Sequence, residues 1–294
     1  MRYYAILNPV AGKGKLAQIE SKLKLTFDRL GIEGEMVKTI SPGDAGHLAR
    51  LGLKKGYSHF LCVGGDGTVF EIINGILDAP ITIGIVPIGA NNLFAQSLGC
   101  DQYPWQNLLE QYASVPRSIA VDVGKVNNYL FLSSAGLGLC VNNIIDLRDK
   151  HSQRIKKNSW LKNITTFYKP QTIYNTTIMI EKKYTVNVAA YDVEIVNAGY
   201  FFQLPQKILF STQDRLLDLV TIDNSLSPRE ARKLKQSRIL TQSEGVSHIP
   251  GKHFVIQKPD HLTLQVDGEL LDADTPLIFT QAPFQIRFLL PQKY

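Results

Sequence analysis

The sequence predicts an N-terminal α/β domain with a mostly parallel sheet, followed by a C-terminal antiparallel β-sandwich domain. In the first third of the chain, short apolar runs alternate with segments whose apolar residues recur every three or four positions. This alternation is typical of a parallel sheet covered by helices on both faces. From about residue 118 the pattern changes to short strands separated by turn residues, which favours a sandwich. We therefore assign residues 1–118 to the first domain and residues 119–282 to the second.

The elements of the first domain follow in chain order. Four strands are predicted, at "YYAIL", "EGEMVKT", "HFLCV" and "ITIGIV". After the first strand, apolar residues recur at helical spacing from Leu16 to Leu30, and Gly31 closes this predicted helix. The segment "DAGHLARLGLKKG" predicts a second helix, and residues 69–77 predict a third. Strands and helices therefore alternate throughout this domain.

The second domain is predicted to begin with a β-hairpin. "IAVDVGKV" and "YLFLSSAG" flank an Asn127-Asn128 turn, the sequence pattern of two antiparallel strands. Further strands are predicted at "TTIMIEKK", "YDVEIVNAG", "LLDLVTID", "HFVIQ", "LTLQVDGELL", "PLIFT" and "FQIRFLLP". Two helical patches, near residues 140–165 and 228–240, interrupt the series.

Composition narrows the classes of partner. The 294 residues carry a net charge of +6, which favours an anionic partner (a nucleotide, a phospholipid surface or a nucleic acid) or serves only solubility. Three cysteines at positions 62, 100 and 140 show neither metal-ligand nor CxxC spacing, which predicts a reduced, intracellular protein. No stretch approaches the roughly 18 apolar residues of a membrane span. Any membrane contact is therefore expected to be peripheral.

Three glycine-rich loops follow predicted parallel strands: "NPVAGKGK", "GGDGT" and "PIGANN". Ligands of open parallel sheets bind beyond the carboxyl ends of the strands. Glycine allows successive N–H groups to converge on phosphate oxygens, and a helix that starts directly afterwards adds its positive end. The spacing GxxxxGK[ST] of a Walker A loop is absent. Together the loops predict a nucleotide or phosphate site, although a lone GGDG is more often only a tight turn.

Asp66 is the one acidic residue in the second loop. Gly64, Gly65 and Gly67 are expected to clear space for a nucleotide. A carboxylate beside phosphate requires Mg²⁺ or a sugar hydroxyl between the two anions. Thr68 is predicted to cap the following helix, with Glu71 at the capping-box position three residues on.

Two acidic segments lie in the second half of the chain. Asp267-Gly268-Glu269 predicts either a simple hairpin turn or, if it faces the glycine loops across a cleft, a base that accepts the proton of an attacking hydroxyl. In "STQDRLLDL", Asp218 is expected in a strand, whereas Asp214 lies in a loop that could bind a cation or be a solvated turn.

A basic segment with interleaved aromatic residues spans 148–169. It suits an anionic membrane surface, where cations meet headgroups and aromatic rings lie at the interface. A solvated helix face is an equally good interpretation, and nucleic-acid binding is disfavoured because no recognised motif accompanies the charge. The residues are Arg148, Lys150, Arg154, Lys156, Lys157, Lys162 and Lys169, with Trp160, Phe167 and Tyr168.

The ordered motifs resemble the diacylglycerol-kinase-type lipid kinases, which include bacterial soluble diacylglycerol kinases, phosphatidylglycerol-type lipid kinases and sphingosine kinases. The resemblance covers essentially the whole chain. It rests on the order of "NPVAGKGK", "GGDGTVFEIINGI", "PIGANNLFAQSLG", "SSAGLG", "LLDL" and "VDGEL".

The resemblance implies an ATP- and Mg²⁺-dependent kinase. ATP would bind the N-terminal domain and lipid the C-terminal one, and the last strand, 283–294, would return to the first domain. Asp66 would act with Mg²⁺, and Glu269, with Asp267 beside it, would be the base that activates the lipid hydroxyl. A structural cation would be held by Asp214 and by carbonyls of Ser211 and Leu216. The nucleotide would be surrounded by Asn8, Gly12, Lys13, Thr39, Gly64, Gly65, Asp66, Gly67, Thr68, Glu71 and Asn92.

The chain departs from the family pattern at three places. Ala90 and Leu93 replace a usual threonine and aspartate in the third loop, which removes a hydroxyl and an acidic group. Arg215 replaces the glycine of the acidic turn, which weakens the case for the cation site. The glycine-rich turn expected after "IVN" is reduced to Ala198-Gly199.

We therefore expect a cytoplasmic lipid kinase that docks peripherally on the anionic inner face of a membrane and binds no nucleic acid; a homodimer stays open. Two alternatives are kept. One is a non-catalytic lipid- or nucleotide-binding module of the same fold, which the changes at Ala90 and Leu93 favour. The other is an NAD kinase, which shares the GGDGT loop but carries a glycine-rich "LGFL"-type segment that this chain lacks.

Overall fold

The structure, a computed structural model, describes residues 2–76, 78–114, 116–142, 144–145, 172–197, 211–231 and 245–292. An α/β domain with a largely parallel sheet comes first and antiparallel strands follow, so the predicted fold class is confirmed. The basic segment 148–169 and the turn at Ala198-Gly199 lie outside the described residues.

Four parallel strands form the sheet of the first domain. They are β1 (Arg2–Leu7), β2 (Glu33–Lys38), β3 (His59–Gly64) and β4 (Thr82–Pro87), in the spatial order β2-β1-β3-β4. All four strands coincide with the predicted ones. β1, β3 and β4 are buried and nearly continuously apolar, as strands covered on both faces are, whereas the edge strand β2 is partly exposed. The carboxyl ends of β1, β3 and β4 therefore lie side by side.

Five helices accompany this sheet. They are α1 (Lys15–Arg29), α2 (Asp44–Lys54), α3 (Asp66–Ile76), α4 (Leu93–Ser97) and α5 (Trp105–Ser114), with two 3₁₀ turns at Ala11–Lys13 and Cys100–Gln102. In α1 Leu16, Leu23 and Phe27 of the predicted apolar stripe are buried, and Gly31 follows the end of the helix with a φ of +62°. A positive φ at this place is the usual way for the chain to leave a helix.

Eleven further strands are described. They are β5 (Arg117–Val126), β6 (Tyr129–Phe131), β7 (Ser134–Gly138), β8 (Tyr174–Ile180), β9 (Tyr184–Val196), β10 (Leu217–Asp223), β11 (Val246–Gly251), β12 (His253–Lys258), β13 (His261–Val266), β14 (Glu269–Asp274) and β15 (Leu277–Leu290). The path β14-β13-β7-β9-β8-β12-β15 is antiparallel throughout, and β10 pairs with β9 and β11. The predicted helical patches are described only in part, at 139–142, 144–145 and 228–231.

The predicted first hairpin is correct at its turn and wrong at its end. β5 and β6 pair around Asn127-Asn128, but "YLFLSSAG" is split into β6 and β7. The break occurs because the N–H groups of residues 132–134 donate to the carboxylate of Asp267 and not to one continuous strand partner.

One long antiparallel ribbon joins the two halves of the molecule. β5 pairs with β15 from Arg117 to Val126. On its other side, β15 pairs with β12 through residues 277–280 and with β4 through Arg287 and Phe288. The ribbon therefore runs through both assigned domains and fixes how the carboxyl ends of the parallel strands face the second half.

Each half has its own apolar core. In the first, side chains of the parallel strands pack with those of α1, α3 and α5. In the second, apolar residues from β7, β8, β9, β12 and β13 share a separate core. The three cysteines are buried. Among the described helices, none has the length and apolar character needed to cross a membrane.

Candidate active site

The three glycine-rich loops meet at the carboxyl edge of the parallel sheet. A Cβ atom on Gly89 would lie 2.6 Å from the Cα atom of Gly65, so the second and third loops touch through their backbones. A Cβ atom on Gly12 would overlap the carbonyl oxygen of Ile88, so the first loop packs on the third. Close contacts within the chain therefore require glycine at these positions. The sequence analysis had explained glycine in these loops only by the space that a nucleotide needs.

Asn8 and Thr68 connect the first loop to the second. The Asn8 side-chain amide donates to Thr68 Oγ1 at 2.9 Å, and Asn8 Oδ1 accepts the N–H of Val10 at 3.1 Å. The prediction that Thr68 caps a helix is wrong. Helix α3 already begins at Asp66, so Thr68 lies buried in its first turn.

Glu71 stabilises a different helix from the one predicted. Its carboxylate accepts the N–H groups of Gly43 and Ala45, at 2.8 and 3.0 Å, where α2 begins. The predicted capping box does not form, because α3 starts two residues before Thr68. The Glu71 carboxylate points towards the start of α2. Nucleotide contact by Glu71 stays a prediction.

Thr39 and Lys13 lie in the outer loops of this edge. The N–H of Thr39 donates to the carbonyl of Leu7 at 3.0 Å, which extends the pairing of β2 with β1. Lys13 is exposed and has a φ of +64° in the first loop. Thr39 thus lies just beyond the end of β2, and Lys13 lies in the loop that follows β1.

Asp66 ties the second loop to the third. Its carboxylate accepts the N–H groups of Leu93 and Phe94, at 3.0 and 3.1 Å, at the start of α4. Burial raises the pKa of Asp66, and the backbone N–H donors act in the opposite direction. Since Leu93 contributes its backbone N–H, the loss of an acidic side chain at this position leaves the contact to Asp66 intact.

Asn92 presents an oxygen that has no partner among the described residues. Its amide nitrogen donates to the carbonyl of Gly89 at 3.0 Å, while Oδ1 is buried without a hydrogen bond. A buried acceptor of this kind lacks the interaction that offsets its desolvation. Together with the Asp66 carboxylate it is an all-oxygen donor set, which fits Mg²⁺ or a ligand hydroxyl.

The segment Asp267-Gly268-Glu269 is a tight hairpin turn. Asp267 and Gly268 have φ values of +48° and +89°, and Val266 pairs with Glu269 across a two-residue loop. Two successive positive φ values define the turn type that favours Asp-Gly. The simple structural interpretation of this motif is therefore correct.

The same turn also has a fixed orientation. The Asp267 carboxylate accepts N–H groups from Leu132, Ser133 and Ser134, at 2.7, 2.8 and 3.1 Å. Burial raises the pKa of Asp267 to about 7; the three N–H donors lower it, and the charge of Asp66 raises it further. Because both carboxylate oxygens are engaged by the backbone, the geometry gives Asp267 a positioning role.

Glu269 reaches from the second half of the molecule to the first. Its Oε1 atom lies 2.7 Å from the position that a Cβ atom on Gly67 would occupy. Glu269 is partly exposed, whereas the backbone of Gly67 belongs to the first turn of α3. A carboxylate from β14 therefore contacts the loop that carries Asp66.

A buried polar cluster supports the turn, and sequence analysis missed it. Gln265 accepts the N–H of Gly268 at 3.0 Å and donates to Ser134 and Glu194, at 3.0 and 3.1 Å. All three side chains in this cluster are at most 1% exposed. The alternation in "LTLQV" places Gln265 on a solvent face, so the sequence carries no signal for its burial.

The residues assigned to a structural cation make hydrogen bonds within the chain. Asp214 is exposed and accepts the N–H of Leu216 at 3.0 Å, while the carbonyl of Leu216 accepts the Gln281 amide at 2.8 Å. The hydroxyl of Ser211 accepts the N–H of Gln213. These groups are thus partly engaged within the chain, and no group of three acidic, histidine or cysteine side chains suited to a metal occurs in the described segments. The structural cation site stays a prediction.

The first part of the chain is similar to one known family. Residues 2–126 match the diacylglycerol kinase catalytic domain. A diacylglycerol kinase of Bacillus subtilis is 27% identical over 278 residues, covering 90% of this chain and 86% of that protein. A Staphylococcus aureus protein provisionally named a lipid kinase is 29% identical over 234 residues, covering 77% and 75% of the two chains.

Solved structures agree on the fold. A Bacillus anthracis protein provisionally named a diacylglycerol kinase superposes with a TM-score of 0.77 at 24% identity, covering 98% of this chain and 97% of that one. The resemblance predicted from the ordered motifs is confirmed.

Proposed function

We propose that this chain is a lipid kinase of the diacylglycerol-kinase type, a phosphotransferase that moves the γ-phosphoryl group of ATP to the hydroxyl of a lipid. The contact of Glu269 with the Gly67 backbone carries the proposal. Through this contact, the Glu269 carboxylate of the second half lies against the glycine-rich GGDGT loop of the first half, a type of loop that suits phosphate. A phosphoryl donor and an alcohol could meet at that contact.

The nucleotide would bind at the carboxyl edge of the parallel sheet. The loops of Asn8, Gly65 and Gly89 are packed together there, and the N-terminus of α3 follows directly. Such an edge binds anions because backbone N–H groups and the helix dipole face the ligand. Asp66 and Asn92 would hold Mg²⁺, which supplies charge neutralisation on the triphosphate when bound.

Glu269 would act as the general base. A base must lie within hydrogen-bond reach of the hydroxyl whose proton it accepts. Asp267 and Gln265 hold the turn that carries Glu269, so its direction is set by buried hydrogen bonds. Proton transfer to Glu269 would leave the lipid oxygen free to attack phosphorus, and catalysis would otherwise rest on positioning and charge.

A lipid with a free hydroxyl on a glycerol or sphingoid backbone is the proposed acceptor. Diacylglycerol is tested first, because the Bacillus subtilis relative is named for it. The enzyme would dock peripherally on the anionic inner face of the membrane, in line with its net charge of +6.

The test is transfer of labelled γ-phosphate from ATP, with Mg²⁺, into mixed vesicles that contain diacylglycerol, phosphatidylglycerol, ceramide or sphingoid bases. NAD is the soluble control acceptor. Label in one lipid supports the proposal and names the substrate class. Label in NAD alone, or bound ATP without any transfer, would replace it with a dinucleotide kinase or with a non-catalytic module.

A further inference from the structure

The ribbon of β5 and β15 contains one irregular point. Gln281 pairs with Gly124 and Gln285 pairs with Asp122, so residues 282–284 oppose a single residue of β5. Extra residues in one strand interrupt the regular ladder of hydrogen bonds. The irregularity lies where β15 leaves β12 and reaches β4.

Arg215 occupies this point with its guanidinium group. Its Nη2 atom lies 3.0 Å from the carbonyl oxygen of Ala282, and Nη1 lies 3.5 Å from that of Phe284. Nη1 is also 3.5 Å from Asp122 Oδ1, while the backbone N–H of Arg215 donates to Asp122 Oδ2 at 2.7 Å. One residue therefore faces a carboxylate on β5 and two carbonyls on β15.

Asp122 requires a positive charge at this place. It is 1% exposed, and the Gln285 amide, which donates to Oδ1 at 2.8 Å, is neutral. A buried carboxylate is stable only if it is paired and hydrogen-bonded. Among its described contacts, the charged partner is Arg215.

Arg215 has a backbone conformation that is unfavourable for a residue with a side chain. Its φ is +60°, a conformation that suits glycine and strains other residues. A strained arginine persists where its contacts offset the strain. Those contacts are the carboxylate and the two carbonyls.

We propose that the Arg215 guanidinium acts in place of a divalent cation at the junction of the two halves. The groups that it contacts, one carboxylate and two carbonyls, are oxygen ligands of the kind that Mg²⁺ and Ca²⁺ take. The arginine neutralises Asp122 and satisfies the carbonyls at the irregular point of β15. At these three groups the junction then needs no divalent ion.

The test compares thermal unfolding of the wild-type chain and Arg215→Gly in EDTA, in Mg²⁺ and in Ca²⁺. Glycine relieves the backbone strain but adds entropy to the unfolded chain, so the loss is measured against a control that carries the same backbone change. Ion binding elsewhere, as at Asp66 and Asn92, acts equally on both proteins, so the quantity compared is the difference between their melting temperatures in each solution. Arg215→Gly should melt lower in EDTA, by roughly 3–6 °C, and recover part of the loss when either ion enters the oxygen-lined gap.

Lys182→Gly is the matched control. Lys182 is an exposed cationic residue with a φ of +57°, so its replacement removes the same charge and the same kind of strain. It should melt at or slightly above the wild-type temperature in every solution.

Three outcomes would overturn the proposal. They are a wild type whose melting temperature EDTA lowers as much as that of Arg215→Gly, an Arg215→Gly variant as stable as wild type in EDTA, and a destabilised variant whose difference from wild type neither ion reduces. Since the readout is unfolding, failure here is distinct from failure of the kinase assay.

Discussion

Glu269 and Gly67 are in contact across the two halves of the molecule, with Oε1 only 2.7 Å from the place of a Cβ atom on Gly67. A glycine is therefore required here by a carboxylate of the same chain. The contact couples the turn after β13 to the first turn of α3. It is the relationship on which the proposed chemistry depends.

Replacing Gly67 with alanine should force these groups apart. We expect Gly67→Ala to lower the free energy of unfolding by about 1–3 kcal/mol, as overpacking does. In a Glu269→Ala background the same change should cost little, because the obstructing side chain is gone. Urea denaturation of the four proteins measures the coupling, and equal costs in both backgrounds would contradict the contact.

Replacing Glu269 with glutamine should abolish the base without changing its shape. We expect kcat for phosphate transfer to lipid to fall roughly 100- to 10,000-fold, the usual contribution of a general base, with ATP binding retained. Asp272→Asn is the control, since Asp272 is an exposed carboxylate on the same strand. Turnover of Glu269→Gln near the wild-type rate would exclude Glu269 as the base.

Asp267 should make stability depend on pH in a definite direction. Its folded-state pKa is raised from 3.8 to about 7, chiefly by burial. As pH rises between these values, the unfolded chain releases the proton before the folded chain does, so the contribution of Asp267 to stability declines and then levels off. Urea unfolding of wild type and Asp267→Asn between the two pKa values should show a shallower decline in the variant; parallel curves would refute the assignment.

Thr68→Val should weaken the link between the first two loops. The change keeps the shape but removes the acceptor of the Asn8 amide, which is 2.9 Å away. An amide left without its partner costs about 1–2 kcal/mol of unfolding free energy. Thr263→Val, on an exposed face of β13, is the control. Equal unfolding free energies for the two variants would show that the hydrogen bond contributes nothing.

The sequence was sufficient for the parallel strands and the Asp-Gly hairpin, because burial on both faces and turn chemistry leave local signals. It was insufficient for the partners of polar side chains. Nothing local reveals that Glu71 binds the start of α2, that Gln265 is buried, or that Asp267 breaks the strand after residue 131. Each of these contacts joins positions far apart in the chain, and only the assembled fold brings them together.

The β15 strand completes the sheet that the first 126 residues begin. The match to the catalytic domain ends at residue 126, yet the partner of β4 and β5 is β15, from Leu277 to Leu290. A fragment that stops at residue 126 would expose the unpaired edge of a buried, apolar strand, and open edges of this kind recruit other chains. The catalytic region is therefore not an autonomous folding unit: expressed alone it should aggregate, and its solubility should return only when the last strand is supplied.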